Sequence, residues 1–210
     1  MPTERIVYVL DDDEAVRRSL ERLLSSANFA PVTFERSDVF LTAARTFKTG
    51  CVLLDVRLPG MNGLEVQEEL NRIRSDLPVI VMTAQGDVQT AVRAMKAGAT
   101  DFLEKPYGDH ALLGSIEVAL ARATPSDRDQ EIADAVRRVA TLSPREREVL
   151  HGLMEGRPNK MIAYQLGISV RTVEVHRARM MERLGIRQFA EALRLGIMSK
   201  LNVPPPAAKR

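Results

Sequence analysis

Tryptophan is absent from the 210 residues, cysteine occurs once, histidine three times, and aromatic residues make up only 4%. A single thiol excludes any disulfide within the chain, so the fold must rest on packing. Cys51 sits in an apolar run and reads as a small core residue rather than a reactive group. His176 has no His or Cys partner at ligand spacing, which argues against a zinc site there. No apolar run approaches the ~20 residues of a membrane span. The opening Met1-Pro2-Thr3-Glu4-Arg5 lacks the long apolar core of a signal peptide. These absences predict a soluble, cytoplasmic chain with no membrane partner.

What is present is enough apolar material for real cores, 45% of residues, in a length suited to one large domain or two small ones. Charge is divided unevenly. Residues 1–121 carry 13 Lys/Arg against 18 Asp/Glu, whereas residues 122–210 carry 17 against 10. An acidic half followed by a basic half predicts that the second half meets a polyanion.

Texture divides the chain in the same place. Apolar runs at 6–10, 30–34, 51–54, 79–82 and 101–104 read as strands. Between them Val16, Leu20, Leu23 and Leu24 recur at helical spacing, as do Val39, Phe40, Ala43 and Phe47. Leu64, Val66, Leu70 and Ile73 follow the same rhythm, then Val88, Ala91, Val92 and Met95, and finally Leu112, Leu113, Ile116 and Leu120. Strands alternating with helices predict an α/β domain, a flavodoxin-like doubly wound parallel sheet of five strands over residues 1–122. Gly98 stands where a helix C-terminus favours positive φ.

Residues 123–141 read as a partly helical linker whose Ile132, Val136 and Val139 make a narrow apolar stripe. From 142 to 203 only helices are expected. Ser143-Pro144-Arg145-Glu146 opens one with an N-cap, a proline at N1 and a capping box. Further helices are expected from Asn159, from 170 to about 184 behind Ser169, and over about 188–199. The proline-rich 204–210 reads as a disordered tail.

The strand ends carry the chemistry. Asp11 and Asp12 end the first run, Asp55 the third, Thr83 the fourth and Lys105 the fifth. In a doubly wound sheet, ligands bind outside the carboxyl ends of the strands where the winding reverses. Neighbouring carboxylates resist joint ionisation unless a cation intervenes, and Mg2+ suits an oxygen-only site with few carboxylates. Asp12 and Asp55 are the expected direct ligands, with Asp11 acting through water and the Arg57 backbone carbonyl as a third protein ligand. Asp55 is the expected nucleophile, Lys105 its charge balance and Thr83 a hydrogen-bond donor to a bound phosphoryl group. No separate general base or substrate pocket is evident, so the chain is not expected to be an enzyme.

With Asp-Asp, Asp, Thr and Lys-Pro in order at these ends, residues 5–121 resemble a two-component response-regulator receiver domain. The resemblance implies phosphotransfer from a sensor histidine kinase to Asp55, as in a phosphorelay, and a cis bond before Pro106. It also implies an aromatic switch at Phe102, with Tyr107 a weaker candidate, and dimerisation through the face of the fourth helix, fifth strand and fifth helix. Asp13 is extra to the acid pair and reads as a first-turn residue of the following helix.

The basic half carries Leu142-Ser143-Pro144-Arg145-Glu146-Arg147-Glu148-Val149-Leu150, Asn159-Lys160-Met161-Ile162-Ala163, Leu166-Gly167-Ile168-Ser169 and Thr172-Val173-Glu174-Val175-His176. It resembles the LuxR-type helix-turn-helix domain, and the whole chain resembles the FixJ type within the LuxR/NarL response regulators. The helix after Ser169 would enter the major groove. Val173, Met180 and Leu184 lie on one face and should pack inward, while Arg171, Glu174, Val175 and Ala178 lie opposite and could reach base edges. Lys160, Arg177, Arg179 and Arg183 are expected on phosphates, and Thr172 completes the DNA-facing set. Many LuxR-type domains have lysine where this chain has Glu174, whereas FixJ-like relatives carry an acid. The reading implies double-stranded promoter DNA, a second copy of the chain and RNA polymerase as partners. Its rival is a DNA-binding regulator that works without phosphorylation, controlled by a protein partner or domain rearrangement.

Overall fold

The computed structural model describes residues 5–74, 76–84, 88–121, 125–186 and 189–200, and of residues 125–130 and 200 the backbone alone. The tail expected at 204–210 lies outside them.

Five short apolar segments form β1 (Ile6–Leu10), β2 (Ala30–Phe34), β3 (Gly50–Asp55), β4 (Val79–Thr83) and β5 (Asp101–Glu104). They pair in parallel in the order β2-β1-β3-β4-β5. This is the doubly wound sheet, with β1 and β3 adjacent and the winding reversing between them. β1, β3 and β4 are buried along their whole length, as strands covered on both faces must be. Helices α1 (Glu14–Ser26), α2 (Ser37–Ala44), α3 (Gly63–Ile73), α4 (Val88–Lys96) and α5 (Asp109–Ala121) follow the strands in alternation.

Alternation along the strands divides the core. Val7, Val9, Cys51, Leu53, Ile80, Met82 and Leu103 share one face and pack with Leu20, Leu24, Leu112 and Ile116 from α1 and α5. Tyr8 points the other way and stacks on Phe47, ring centroids 3.8 Å apart, while Phe34, Phe40 and Phe47 touch edge to face or at a tilt. Phe47 was expected to continue the second helix, but α2 stops at Ala44 and Phe47 lies in the following turn. Its ring docks on the sheet instead of extending the helix.

Local chemistry sets the helix ends. Asp13 is the N-cap of α1, accepting from the amides of Ala15 and Val16, rather than a first-turn residue. Asn62 and Glu65 form a capping box on α3. Gly98 has φ +88°, the left-handed conformation expected of it.

The remaining helices are α6 (Pro125–Ala140), α7 (Pro144–Met154), α8 (Asn159–Leu166), α9 (Val170–Leu184) and α10 (Phe189–Lys200). Ser143 and Glu146 make the expected capping box on α7, and Gly167 and Gly185 end α8 and α9 in left-handed conformations. Gly196 lets α10 approach α7 closely, since a Cβ there would sit 2.5 Å from the Met154 sulfur. The chain separates into two compact units, Met1–Gly86 with Lys96–Arg122 and Asp87–Met95 with Ala123–Arg210. Among the described residues no helix is long and apolar enough to cross a membrane.

Candidate functional site

The parallel register brings the ends of β1, β3 and β5 to one edge of the sheet. Lys105 follows β5 directly, and the Lys105–Pro106 peptide is cis. The Lys105 ammonium reaches back between two carboxylates, donating to Asp55 Oδ1 at 2.6 Å and to Asp11 Oδ2 at 2.8 Å. The second oxygen of each acid is also held. The Arg57 amide donates to Asp55 Oδ2 at 2.5 Å, and the Asp13 amide to Asp11 Oδ1 at 3.0 Å. Asp11 and Asp55 are buried, whereas Asp12 is exposed on the loop. Asp11, expected to act at one remove, is thus the acid that shares Lys105 with Asp55.

Burial pushes the Asp55 carboxyl above its ordinary value, and the nearby Asp11 charge adds to this against the opposing pull of Lys105. Burial works against the Lys105 ammonium too, but its hydrogen bonds to Asp11 and Asp55 outweigh it and hold the ammonium above its ordinary value. Thr83 is buried at the end of β4, where its carbonyl accepts from the Lys105 amide at 2.7 Å. Phe102 is 8% exposed, so its ring is turned into the protein. Tyr107 donates its hydroxyl to the Met82 sulfur at 3.1 Å, and burial raises its phenol.

Two supports carry no signal in the sequence. Arg17 of α1 donates to the Asp11 carbonyl at 2.8 Å and lies 3.6 Å from Glu35. It ties down the loop that carries the acid pair. Gly63, the first residue of α3, lies so close to β3 that a Cβ would come within 2.1 Å of the Asp55 carbonyl oxygen. The Gly in Pro59-Gly60-Met61-Asn62-Gly63 hints at a turn, but nothing in that string announces the close approach.

Among the described residues no three His, Cys, Asp or Glu side chains gather into a metal-binding group. The donor set nonetheless suits a hard cation. Asp11 and Asp55 present carboxylate oxygens across one ammonium, Asp12 follows Asp11 in sequence, and no sulfur or imidazole competes.

In the second unit, α9 carries its polar face as expected. Val173, Met180 and Leu184 are buried, and Arg171, Glu174, Val175, Ala178 and Arg179 are exposed. Ser169 accepts from the Thr172 amide at 3.1 Å and caps the helix. Lys160 is exposed on α8. Arg177 is engaged within the fold, donating to Asn159 Oδ1 at 3.0 Å with its guanidinium 4.8 Å from the Phe189 ring centroid. Burial lowers its guanidinium from the ordinary value. Arg183 lies 3.3 Å from the buried Glu146 carboxylate. Tyr164 on α8, 84% exposed, received no role from the sequence.

Comparison with known proteins decides the family. Residues 7–117 match the response regulator receiver domain, and residues 140–196 match the bacterial regulatory proteins of the luxR family. The transcriptional regulatory protein FixJ of Bradyrhizobium diazoefficiens is 44% identical over 198 residues, covering 94% of this chain and 97% of that one. This chain is a response regulator of the FixJ type. The response regulator TodT of Pseudomonas putida is 37% identical over 192 residues, covering 90% of this chain and 84% of its own. Among solved structures, full-length FixJ from B. japonicum superposes with a TM-score of 0.57 at 43% identity, covering 95% of this chain and 98% of that one. As a response regulator of this type, the chain pairs a receiver with a helix-turn-helix DNA-binding domain. Receiver domains bind Mg2+ at their acidic pocket.

Proposed function

We propose that this chain is a cytoplasmic transcription factor, not an enzyme, switched when a sensor histidine kinase transfers a phosphoryl group to Asp55. The observation that carries the reading is the ammonium of Lys105 held between two buried carboxylates at the carboxyl edge of the sheet. In the transfer, an Asp55 carboxylate oxygen attacks phosphorus, the P–N bond to the kinase histidine breaks, and the imidazole keeps the electron pair. Lys105 is already placed to balance the arriving charge. Thr83, at the neighbouring strand end, would donate its hydroxyl to a phosphoryl oxygen. Asp11, Asp12, Asp55 and the Arg57 carbonyl would hold Mg2+, which when bound neutralises charge on the transferring group.

Phosphorylation would then favour self-association through the α4–β5–α5 face, with Phe102 as the aromatic that reports the state of Thr83. Two α9 helices would meet a two-fold related promoter. Arg171, Thr172, Glu174 and Val175 would face bases, with Lys160, Arg177 and Arg179 on the phosphate side. RNA polymerase would be the downstream partner.

Light scattering in Mg2+, with and without the phosphoryl mimic beryllium trifluoride, tests the switch on wild type and Asp55→Asn. A monomer-to-dimer shift with the mimic, absent in the variant, is expected. No shift in folded wild type would sink the phosphoryl-driven dimer and favour control by a protein partner.

A further inference from the structure

The last turn of a helix leaves backbone carbonyls without partners inside the helix, and cations there are favoured. At the end of α9, the Gly185 amide takes the carbonyls of Met181 and Glu182. The Leu184 carbonyl is taken from outside the helix, by the guanidinium of Arg138 in the last turn of α6. The contact is answered in reverse. Arg183 of α9 donates to the Thr141 carbonyl, just past the end of α6, at 3.4 Å. Each of the two segments thus gives an arginine to the other's backbone.

Both arginines are held by acids on neighbouring helices. Arg138 lies 3.6 Å from Glu191 of α10, and Arg183 lies 3.3 Å from Glu146 of α7. Glu146 is itself fixed by the Ser143 amide at 2.8 Å. Farther along α6, Glu131 accepts from Arg194 of α10 at 3.0 Å, and Ala135 is fully buried. The linker helix is therefore fastened to the DNA-binding helices, and its end bears on the end of α9.

We infer that Arg138 and Arg183 form a reciprocal latch between the linker helix and the recognition helix, and that both act as positioning residues for DNA binding. Arg183 then fixes how α9 is presented and makes no phosphate contact. The inference rests on α9 being the recognition helix of the luxR-family domain.

Phosphate contacts and positioning residues differ in salt dependence, because a phosphate contact releases counterions and a positioning residue does not. Full-length wild type, Arg138→Ala, Arg183→Ala and Arg179→Ala would be titrated with a random-sequence 30-base-pair duplex at several salt concentrations. Arg179→Ala, lacking an exposed cation on α9, should lower the slope of log K against log salt by about 0.9. Arg183→Ala should leave the slope unchanged; a drop of about 0.9 would overturn the assignment. Amide exchange without DNA gives an independent reading. Arg138→Ala should speed exchange in the last turn of α9 about tenfold while α8 stays protected, and Arg138→Lys should recover part of it. Unchanged exchange in that turn would refute the latch. If wild type fails to bind the duplex, the recognition-helix reading falls, and exchange alone still decides whether the latch exists.

Discussion

Lys105 serves two buried acids at once, so its removal has a cost beyond one lost contact. Lys105→Met leaves Asp11 and Asp55 facing each other without a cation. Breaking a fully buried pair costs about 3–5 kcal/mol; with the lysine side chain 22% exposed, about 2 kcal/mol is expected, read as a lower thermal midpoint. Adding Asp55→Asn to Lys105→Met should recover part of the loss, because it removes one stranded charge. Simple additivity of the two changes would contradict this account. Glu146 gives a residue-scale pH dependence in the other unit. Burial raises its carboxyl, but hydrogen bonds from Ser143 and the nearby Arg183 outweigh burial and set it below its ordinary value. A depressed carboxyl contributes stability that is present above its unfolded pKa and lost as pH falls through the lower folded value. Thermal midpoints followed downward from neutral pH should therefore drop in acid, below about pH 4.3. Glu146→Gln should be less stable at neutral pH and show a shallower drop; an identical pH profile would rule Glu146 out.

At the scale of elements, the close approach of α3 to the end of β3 controls where Asp55 sits. Gly63→Ala would force a methyl group against the Asp55 carbonyl and the Val56 Cα, neither of which can turn aside. A loss of about 1–3 kcal/mol is expected. Phosphoryl uptake from a small donor such as acetyl phosphate, followed on a phosphate-affinity gel, should also fall. Normal uptake and stability would mean that the helix shifts freely. The strand ends were legible in the sequence because an acid, hydroxyl or amine terminating an apolar run stands out against it. Asp11, Asp55, Thr83 and Lys105 all follow that rule. Arg17, Gly63 and Arg138 do not, because they act on backbone atoms rather than side chains, and a carbonyl carries no residue identity to search for. Phe47 departs from the pattern for a related reason, since its spacing fits a helix while the ring of Tyr8 holds it in a turn. On α9 the inward and outward faces followed from period alone, whereas the engagement of Arg177 with Asn159 and Phe189 required tertiary neighbours.

At the scale of the whole chain, the division of charge matches the division of labour between an acid-lined receiver and a basic DNA-binding domain. The boundary between them is less simple than the linker composition suggested, because α6 packs on α10 and belongs structurally with the helices that follow it. A fragment beginning at residue 125 should melt at a higher temperature than one beginning at 140, since the shorter one loses the buried Ala135 and the pairs that Glu131 and Arg138 make with Arg194 and Glu191 of α10. Equal midpoints would show that α6 adds nothing to the domain. Cys51 carries a consequence of another kind. Its side chain is enclosed in the sheet, and burial pushes the thiol up to about 12, so at neutral pH it stays protonated and shielded from electrophiles. The natural chain is in effect a thiol-silent background. A cysteine placed at an exposed position such as Tyr164 would take a maleimide dye alone, allowing the helix-turn-helix to be watched by fluorescence without first removing the native sulfur.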